Sequence, residues 1–111
     1  MAANDFYKFQ YYTTESLYEK VTAEGHSFTQ AADRCLTEFR YQLDGGGVPA
    51  LAVYSTLFSG LAFHSPRDLR YFRQHIDAME CLLTPATHAA LSEEELEELT
   101  DDIDAIRQEL Q

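Results

Sequence analysis

Basic side chains are scarce in this chain. Only 8 of its 111 residues are Lys or Arg, against 19 Asp and Glu, and the formal net charge is −11. A field of this sign repels the phosphates of nucleic acids and the anionic headgroups of a membrane surface. The composition therefore argues against direct binding to nucleic acid or to membranes.

Cysteine is nearly absent as well. Cys35 and Cys81 are the only two, and neither belongs to a C-x-x-C pattern, so the sequence predicts neither a disulfide framework nor a zinc cluster. Residues 1–5 lack the cationic stretch and apolar run of a secretory signal, and we expect a cytoplasmic protein with reduced thiols. The helical phase of each cysteine predicts that Cys35 is buried and that Cys81 is at least partly exposed.

A hydrophobic run long enough to cross a bilayer is missing. The uncharged segment 48–64 contains Tyr54, Ser55, Thr56, Ser59 and Gly60, whereas a membrane span needs about 20 predominantly apolar residues. Apolar residues nevertheless lie on every side of this segment. Such a pattern predicts the most enclosed helix of a bundle.

Catalytic and metal-binding motifs are missing too. The four histidines, His26, His64, His75 and His88, form no H-E-x-x-H pattern, so no metal site is expected. The glycine run 45–47 lacks the Lys-Ser/Thr ending of a phosphate-binding loop, and no G-x-S-x-G is present. We expect a protein without catalytic residues, cofactor or metal, in which His75 is a partly buried packing residue.

Helix-capping patterns divide most of the chain. Ser27 with Gln30 and Ser92 with Glu95 each form a capping box, in which the two side chains bond reciprocally to the backbone N–H groups. Ser65 precedes a proline, as an N-cap residue often does, and Pro85 prevents the helix after Ser65 from simply continuing. These signals, with the glycines 45–47 as a terminator, predict helices over 27–43, 48–64, 66–83 and 93–110.

The N-terminal segment is rich in aromatic residues, beginning with Phe6, Tyr7, Phe9, Tyr11 and Tyr12. Their spacing fits either a strand or one broad helical face. No second strand is evident to pair with it. We interpret residues 5–24 as helical, with a break near Thr13 and Thr14 and an end at Gly25. The fold predicted for residues 1–111 is therefore a single all-α domain, a compact bundle of about five helices with short connections.

Acidic residues concentrate at the C-terminal end. Residues 91–111 contain 9 of the acidic side chains and 1 basic one. Leu96, Leu99, Ile103, Ile106 and Leu110 form a narrow apolar seam on the predicted helix. The opposite face is acidic and comprises Glu94, Glu97, Glu98, Asp101 and Asp104. This face either keeps the domain soluble or docks a basic partner.

A third use of the acidic helix is internal. Arg67, Arg70 and Arg73 lie in the first half of predicted helix 66–83, where they either pair with the acidic helix or remain solvated. Surface ion pairs contribute only about 0–1 kcal/mol each. Such pairing would orient the last helix more than stabilise it.

The first functional hypothesis is a small non-enzymatic binding protein of inhibitor type. It would block a basic site on a protein, such as a nucleic-acid-binding protein, by occlusion or by mimicry of nucleic-acid phosphates. Its residues would be Tyr7, Tyr11 and Tyr12 as aromatic anchors and the five carboxylates of the acidic face. In size and charge alone the chain resembles bacterial immunity proteins, antitoxins and phage anti-CRISPR proteins, with no shared motif.

Two other classes stay open at this stage. A helical structural or regulatory module, such as a secretion chaperone, an adaptor or a homodimer, would pair through the seam from Leu96 to Leu110. An enzyme would need a deep polar pocket around His75. A monomer in solution with this seam buried would count against the first of these classes.

Overall fold

The computed structural model describes residues 3–64 and 69–110, with the side chains of 60–64, 69–72 and 74 left aside. Within these residues the regular structure is entirely helical, and the radius of gyration is 13.1 Å, close to the about 13 Å of a compact domain of 100 residues. An all-α fold is confirmed. The helices are α1 (Ala3–Ala23), α2 (Phe28–Glu38), α3 (Arg40–Gly45), α4 (Gly47–His64), α5 (Leu69–Cys81), α6 (Pro85–His88) and α7 (Glu93–Glu109).

Helix α1 is one continuous helix, so the expected break near Thr13 and Thr14 is wrong. Thr13 Oγ1 donates to the carbonyl oxygen of Phe9 at 2.7 Å, and Thr14 Oγ1 donates to that of Gln10 at 2.8 Å. Each hydroxyl is therefore satisfied by the preceding turn and does not compete with the helix. The helix ends where predicted, because Gly25 adopts a left-handed φ of 96°.

The predicted helix 27–43 is divided in two. Its capping box at Ser27 and Gln30 is present, but α2 ends at Glu38 and Phe39 leaves helical geometry with φ −104° and ψ 24°. The Phe39 N–H still donates to the Cys35 carbonyl at 2.9 Å, and its ring lies in the core. The chain thus bends at Phe39 while keeping this ring buried, and α3 follows as a separate short helix.

Helix α4 is the centre of the bundle, as its uncharged sequence predicts. It contacts each of the other six described helices, and Leu51, Val53, Leu57 and Phe58 on it are fully buried. Two of its hydroxyl groups bond to the preceding turn: Ser55 Oγ donates to the Leu51 carbonyl at 2.7 Å, and Thr56 Oγ1 donates to the Ala52 carbonyl at 2.9 Å. Each of the other described helices therefore packs against α4, and α2 packs more extensively on α1.

The segment after α4 differs in its ends from the predicted helix 66–83. Residues 65–68, with the proposed cap at Ser65, lie outside the described residues, and α5 ends at Cys81 rather than at residue 83. Ile76 and Met79 of α5 are buried. Pro85 begins the extra short helix α6 behind a capping box formed by Thr84 and Thr87. The short helices α3 and α6 account for the excess over five.

Helix α7 follows its prediction closely. The capping box is present: Ser92 Oγ accepts from the Glu95 N–H at 3.1 Å, and Glu95 Oε1 accepts from the Ser92 N–H at 2.9 Å. Leu99, Ile103 and Ile106 of the seam are buried in the core of the same chain. The acidic face is thereby turned away from the bundle.

In the contact between α5 and α7 the arginine lies on α7 and the acids lie on α5, the reverse of the arginine pairing considered above. Arg67 and the side chain of Arg70 lie outside the described residues, and Arg73 is exposed. Instead Arg107 of α7 pairs with α5: its Nη2 lies 2.6 Å from Glu80 Oε2 and 3.3 Å from Asp77 Oδ1. These hydrogen bonds raise the pKa of Arg107 further above its ordinary value. Among the described residues, the ion pairs between these two helices therefore join an arginine of α7 to acids of α5.

The two cysteines are expected to differ sharply in reactivity. Cys35 is fully buried and Cys81 is exposed, both as predicted, and burial raises the pKa of the Cys35 thiol to about 12. Because the thiolate is the nucleophile, a thiol reagent added to the native protein should label Cys81 alone, and Cys35 should react only after unfolding. Mass spectrometry of the labelled peptides measures this order. Labelling of Cys35 first would contradict the packing of α2.

Candidate functional site

A cleft of about 190 Å³ opens between α1, α4 and α7. It brings three of the predicted aromatic anchors next to the acidic helix, although their segments are far apart in the sequence. The lining residues are Tyr7, Lys8, Tyr11 and Tyr12 of α1, Ser55 and Ser59 of α4, and Glu95, Glu98, Leu99 and Asp102 of α7.

The α1 wall of the cleft is a run of tyrosines. The ring centroids of Tyr7 and Tyr11 lie 6.0 Å apart, and those of Tyr11 and Tyr12 lie 5.6 Å apart in an edge-to-face arrangement. Exposure increases along this run: Tyr7 is 5% exposed, Tyr11 is partly buried and Tyr12 is 58% exposed. Tyr12, and to a lesser degree Tyr11, can therefore be reached from solvent, whereas Tyr7 belongs mainly to the core.

Two serine side chains of α4 form the floor of the cleft. Ser55 and Ser59 lie four residues apart and so share one face of α4; they form hydrogen bonds with the side chains of Tyr7 and Tyr11 respectively. Burial raises the pKa of Tyr7 to about 12, and the hydrogen bond with Ser55 offsets only part of this increase. Burial also raises the pKa of Tyr11. Both tyrosines are consequently neutral hydrogen-bonding groups at physiological pH.

The α7 wall begins with Glu95, which also serves as the capping residue. Its Oε1 accepts from Asn4 Nδ2 at 2.7 Å, and the same Nδ2 donates to the Ala90 carbonyl at 2.8 Å. Burial alone would raise the pKa of Glu95, but hydrogen bonds from Ser92 and Asn4 and the charge of Lys8 lower it overall. Glu95 is therefore a structural anion that fixes the start of α1 to the start of α7.

Asp102 marks the more strongly anionic end of the cleft. Burial raises its pKa, and the neighbouring charges of Glu98 and Asp101 raise it further. Lys8 is the single cation among the residues that line the cleft, and its charge acts on Glu95. The part of the cleft around Glu98 and Asp102 thus has an excess of negative charge.

The predicted acidic face continues from this wall around α7. Its residues Glu94, Glu97, Glu98, Asp101 and Asp104 are all exposed. Glu98 belongs both to this face and to the cleft, whereas the other four lie outside the cleft lining. The cleft and the acidic face are therefore adjoining parts of one surface.

Several lining residues were not among the predicted site residues. Asp102 could have been recognised by its i,i+4 spacing from Glu98, which places both carboxylates on one side of α7. Ser55 and Ser59 have the same spacing, but only the packing of α1 on α4 gives them a role.

His75, the histidine considered as a catalytic residue, lies outside the cleft lining. His75 is partly buried, its ring centroid lies 5.9 Å from that of Tyr54, and burial lowers its pKa. Its partial burial agrees with the prediction. In the described part of the chain no group of three or more His, Cys, Asp or Glu side chains is arranged to hold a metal ion. None of the described helices has the length and hydropathy of a membrane span.

Tyr7 should make the fold sensitive to alkaline pH. Its ordinary pKa of 10.0 applies to the unfolded chain and about 12 to the folded one, so the folded state retains a proton that the unfolded state loses. The free energy of unfolding therefore falls as the pH rises from 10 to 12, by about 3 kcal/mol for this group. Denaturant unfolding at several pH values should show this loss in the wild type and a smaller loss in Tyr7→Phe.

The exposed Tyr12 provides the matched control. Tyr12→Phe should follow the wild-type profile, while Tyr7→Phe should begin about 1 kcal/mol less stable at neutral pH, because the hydrogen bond with Ser55 is lost. If Tyr7→Phe and the wild type lose stability in parallel above pH 10, the Tyr7 hydroxyl is not held in the way the structure indicates.

No protein-family model, curated protein or solved structure matches this chain.

Proposed function

We propose that the chain is a non-enzymatic binding protein that covers a basic site on a protein partner. The observation that supports this most is the junction of a tyrosine-lined cleft with the acidic face of α7, Glu98 being common to both. Aromatic side chains supply contact area at the centre of an interface, and surrounding charges select the partner and speed its approach. The two parts of this surface provide both contributions.

An exposed aromatic ring in the cleft lining supports the proposal. Tyr12 of α1 lines the cleft and is 58% exposed. Aromatic residues are enriched at the centres of protein interfaces, and we assign Tyr12 to the same contact surface as Tyr11. Phe6 and Phe9 of α1 are also more than half exposed, but neither lines the cleft.

The charge of α7 is costly to the helix itself. Glu94 with Glu98, Glu97 with Asp101 and Glu98 with Asp102 are like-charge i,i+4 pairs, each destabilising by roughly 0.2–0.5 kcal/mol. The acids next to the cleft therefore are not explained by the stability of α7. A basic partner, such as a protein that itself binds nucleic acid, would relieve this repulsion by placing cations against the face.

The alternative, a structural or regulatory module that pairs through the α7 seam, is less well supported. Leu99, Ile103 and Ile106 contact the core of their own chain, so a partner helix would first have to displace α7 from the bundle. The acidic face needs no such rearrangement.

The proposal is tested by capture from the native host with two variants of equal charge. One variant neutralises the face, with Glu94, Glu97 and Glu98 changed to Gln and Asp101 to Asn. The control neutralises exposed acids elsewhere, with Glu19, Glu24 and Glu38 changed to Gln and Asp44 to Asn. Both have a net charge of −7 instead of −11.

The expected result is a basic protein recovered by the wild type and by the control variant but not by the face variant. Equal recovery by all three chains, or equal loss from both variants, would contradict a binding face on α7 and leave the solubility interpretation.

The face variant should fold normally. Its changed side chains are exposed and opposite the seam, and removing their mutual repulsion should leave the free energy of unfolding unchanged or raise it by up to about 1 kcal/mol. Thermal unfolding followed by circular dichroism measures this. A marked loss of stability would show that these carboxylates have structural partners and would invalidate the variant as a test of binding.

A further inference from the structure

The size of the cleft limits what it can hold. Its volume of about 190 Å³ corresponds to the liquid volume of roughly six water molecules, whereas sites for small-molecule ligands span about 300–1,000 Å³. The cleft is thus smaller than a typical site for a small-molecule ligand, and its volume suits a single long side chain from another protein.

The chemistry of the cleft selects a cation. Glu98 and Asp102 are carboxylate acceptors on the α7 wall, and Tyr11 and Tyr12 present aromatic rings on the α1 wall. Rings facing carboxylates bind a cation by combining the attraction of the ring faces with ion pairing. The repulsion among Glu98, Asp101 and Asp102 would fall when a cation entered.

Lys8, the cation in the cleft lining, does not neutralise the carboxylates of Glu98 and Asp102. Its charge lowers the pKa of Glu95. Among the described residues, the charges that shift the pKa of Asp102 are those of Glu98 and Asp101. The positive charge of Lys8 therefore acts mainly at the Glu95 end of the cleft. A second cation would be accommodated at the Glu98 and Asp102 end.

We propose that this cleft receives one arginine side chain of the basic partner, between the rings of Tyr11 and Tyr12 and the carboxylates of Glu98 and Asp102. The inference rests on the proposed function and specifies how the partner is recognised. Arginine fits better than lysine because its planar guanidinium stacks on aromatic rings and donates two parallel hydrogen bonds to carboxylates. A lysine would supply only a point charge.

The test uses three capped tripeptides as probes, with glycine on either side of arginine, lysine or citrulline. Citrulline keeps the shape of arginine but has no charge. Titration of each peptide into the isotopically labelled wild type, followed by amide chemical shifts at low salt and pH 7, should show the arginine peptide binding with a dissociation constant on the order of millimolar. The shifts should be confined to residues 7–12 and 95–102, with weaker binding by lysine and none by citrulline.

Asp102→Asn and Asp104→Asn provide a matched pair, since both remove one carboxylate from α7 but only Asp102 lines the cleft. The arginine peptide should bind Asp102→Asn about tenfold more weakly, as expected when a partly buried charge partner is removed. It should bind Asp104→Asn within about twofold of the wild type, because an exposed pair contributes little. Tyr12→Ala should also weaken binding, without changing the seam that holds α7.

Equal effects of Asp102→Asn and Asp104→Asn, shifts spread over the outer face, or equal binding of the citrulline peptide would each overturn the arginine site. These outcomes are separable from failure of the proposed function. If the tripeptides do not bind at the cleft while the face variant still loses its basic partner, the arginine site is wrong and the binding face stands. If the arginine site is found but all variants recover the same proteins, the binding face is wrong.

Discussion

Leu57→Asp is expected to abolish stable folding. Leu57 is 0% exposed in the middle of α4, the helix that contacts all the other described helices. An aspartate there would either be ionised without a partner or protonated at a cost, and its shape would not fill the space of leucine. A loss of several kcal/mol is a large share of a net stability of roughly 5–15 kcal/mol.

The matched control places the same charge on the surface. Tyr41 of α3 is 87% exposed, so Tyr41→Asp should unfold at nearly the wild-type temperature. Circular dichroism and the yield of soluble monomer measure both variants. A Leu57→Asp protein with unchanged thermal unfolding would show that α4 is not the centre of the bundle.

The helices that the sequence predicted best are those with signals in their own side chains. Ser92 with Glu95 and Ser27 with Gln30 form capping boxes whose partners are three residues apart, so no tertiary neighbour is needed to place these helix starts. Gly25 ends α1 for a similarly local reason. The enclosed position of α4 was also accessible, because only a helix surrounded by others can be apolar on every side.

The errors arose where local chemistry allows two outcomes. Thr13 and Thr14 can either interrupt a helix or bond back to it, and the structure shows the second. The bend at Phe39 depends on where the core lies relative to α2, which no nearby residue encodes. Local patterns could not decide either case.

The same distinction holds for the candidate site. The acidic face follows from helical spacing within α7, and its five residues are exposed as expected from that spacing. The cleft requires α1, α4 and α7 to meet, so Ser55, Ser59 and Asp102 acquire their roles only from packing. Tyr7 was predicted as an anchor, yet packing against α4 leaves it nearly inaccessible.

Under the proposed function, association with a basic partner should depend steeply on salt. Complementary fields raise association rates by about 10- to 1,000-fold at low ionic strength, and the Debye length shortens from about 10 Å at 0.1 M salt to about 3 Å at 1 M. The wild-type rate constant should therefore fall strongly as the salt concentration rises. The face variant, which lacks four of the carboxylates on α7, should begin slower and change much less.

The most direct measurement is the association rate constant for the recovered basic protein, measured from about 0.05 to about 0.5 M salt, a range over which screening changes greatly. The wild type and the equal-charge control variant should show the same steep decrease, and the face variant a shallow one. Equal slopes for all three chains would contradict the claim that the acidic face of α7 directs a basic partner to the tyrosine-lined cleft.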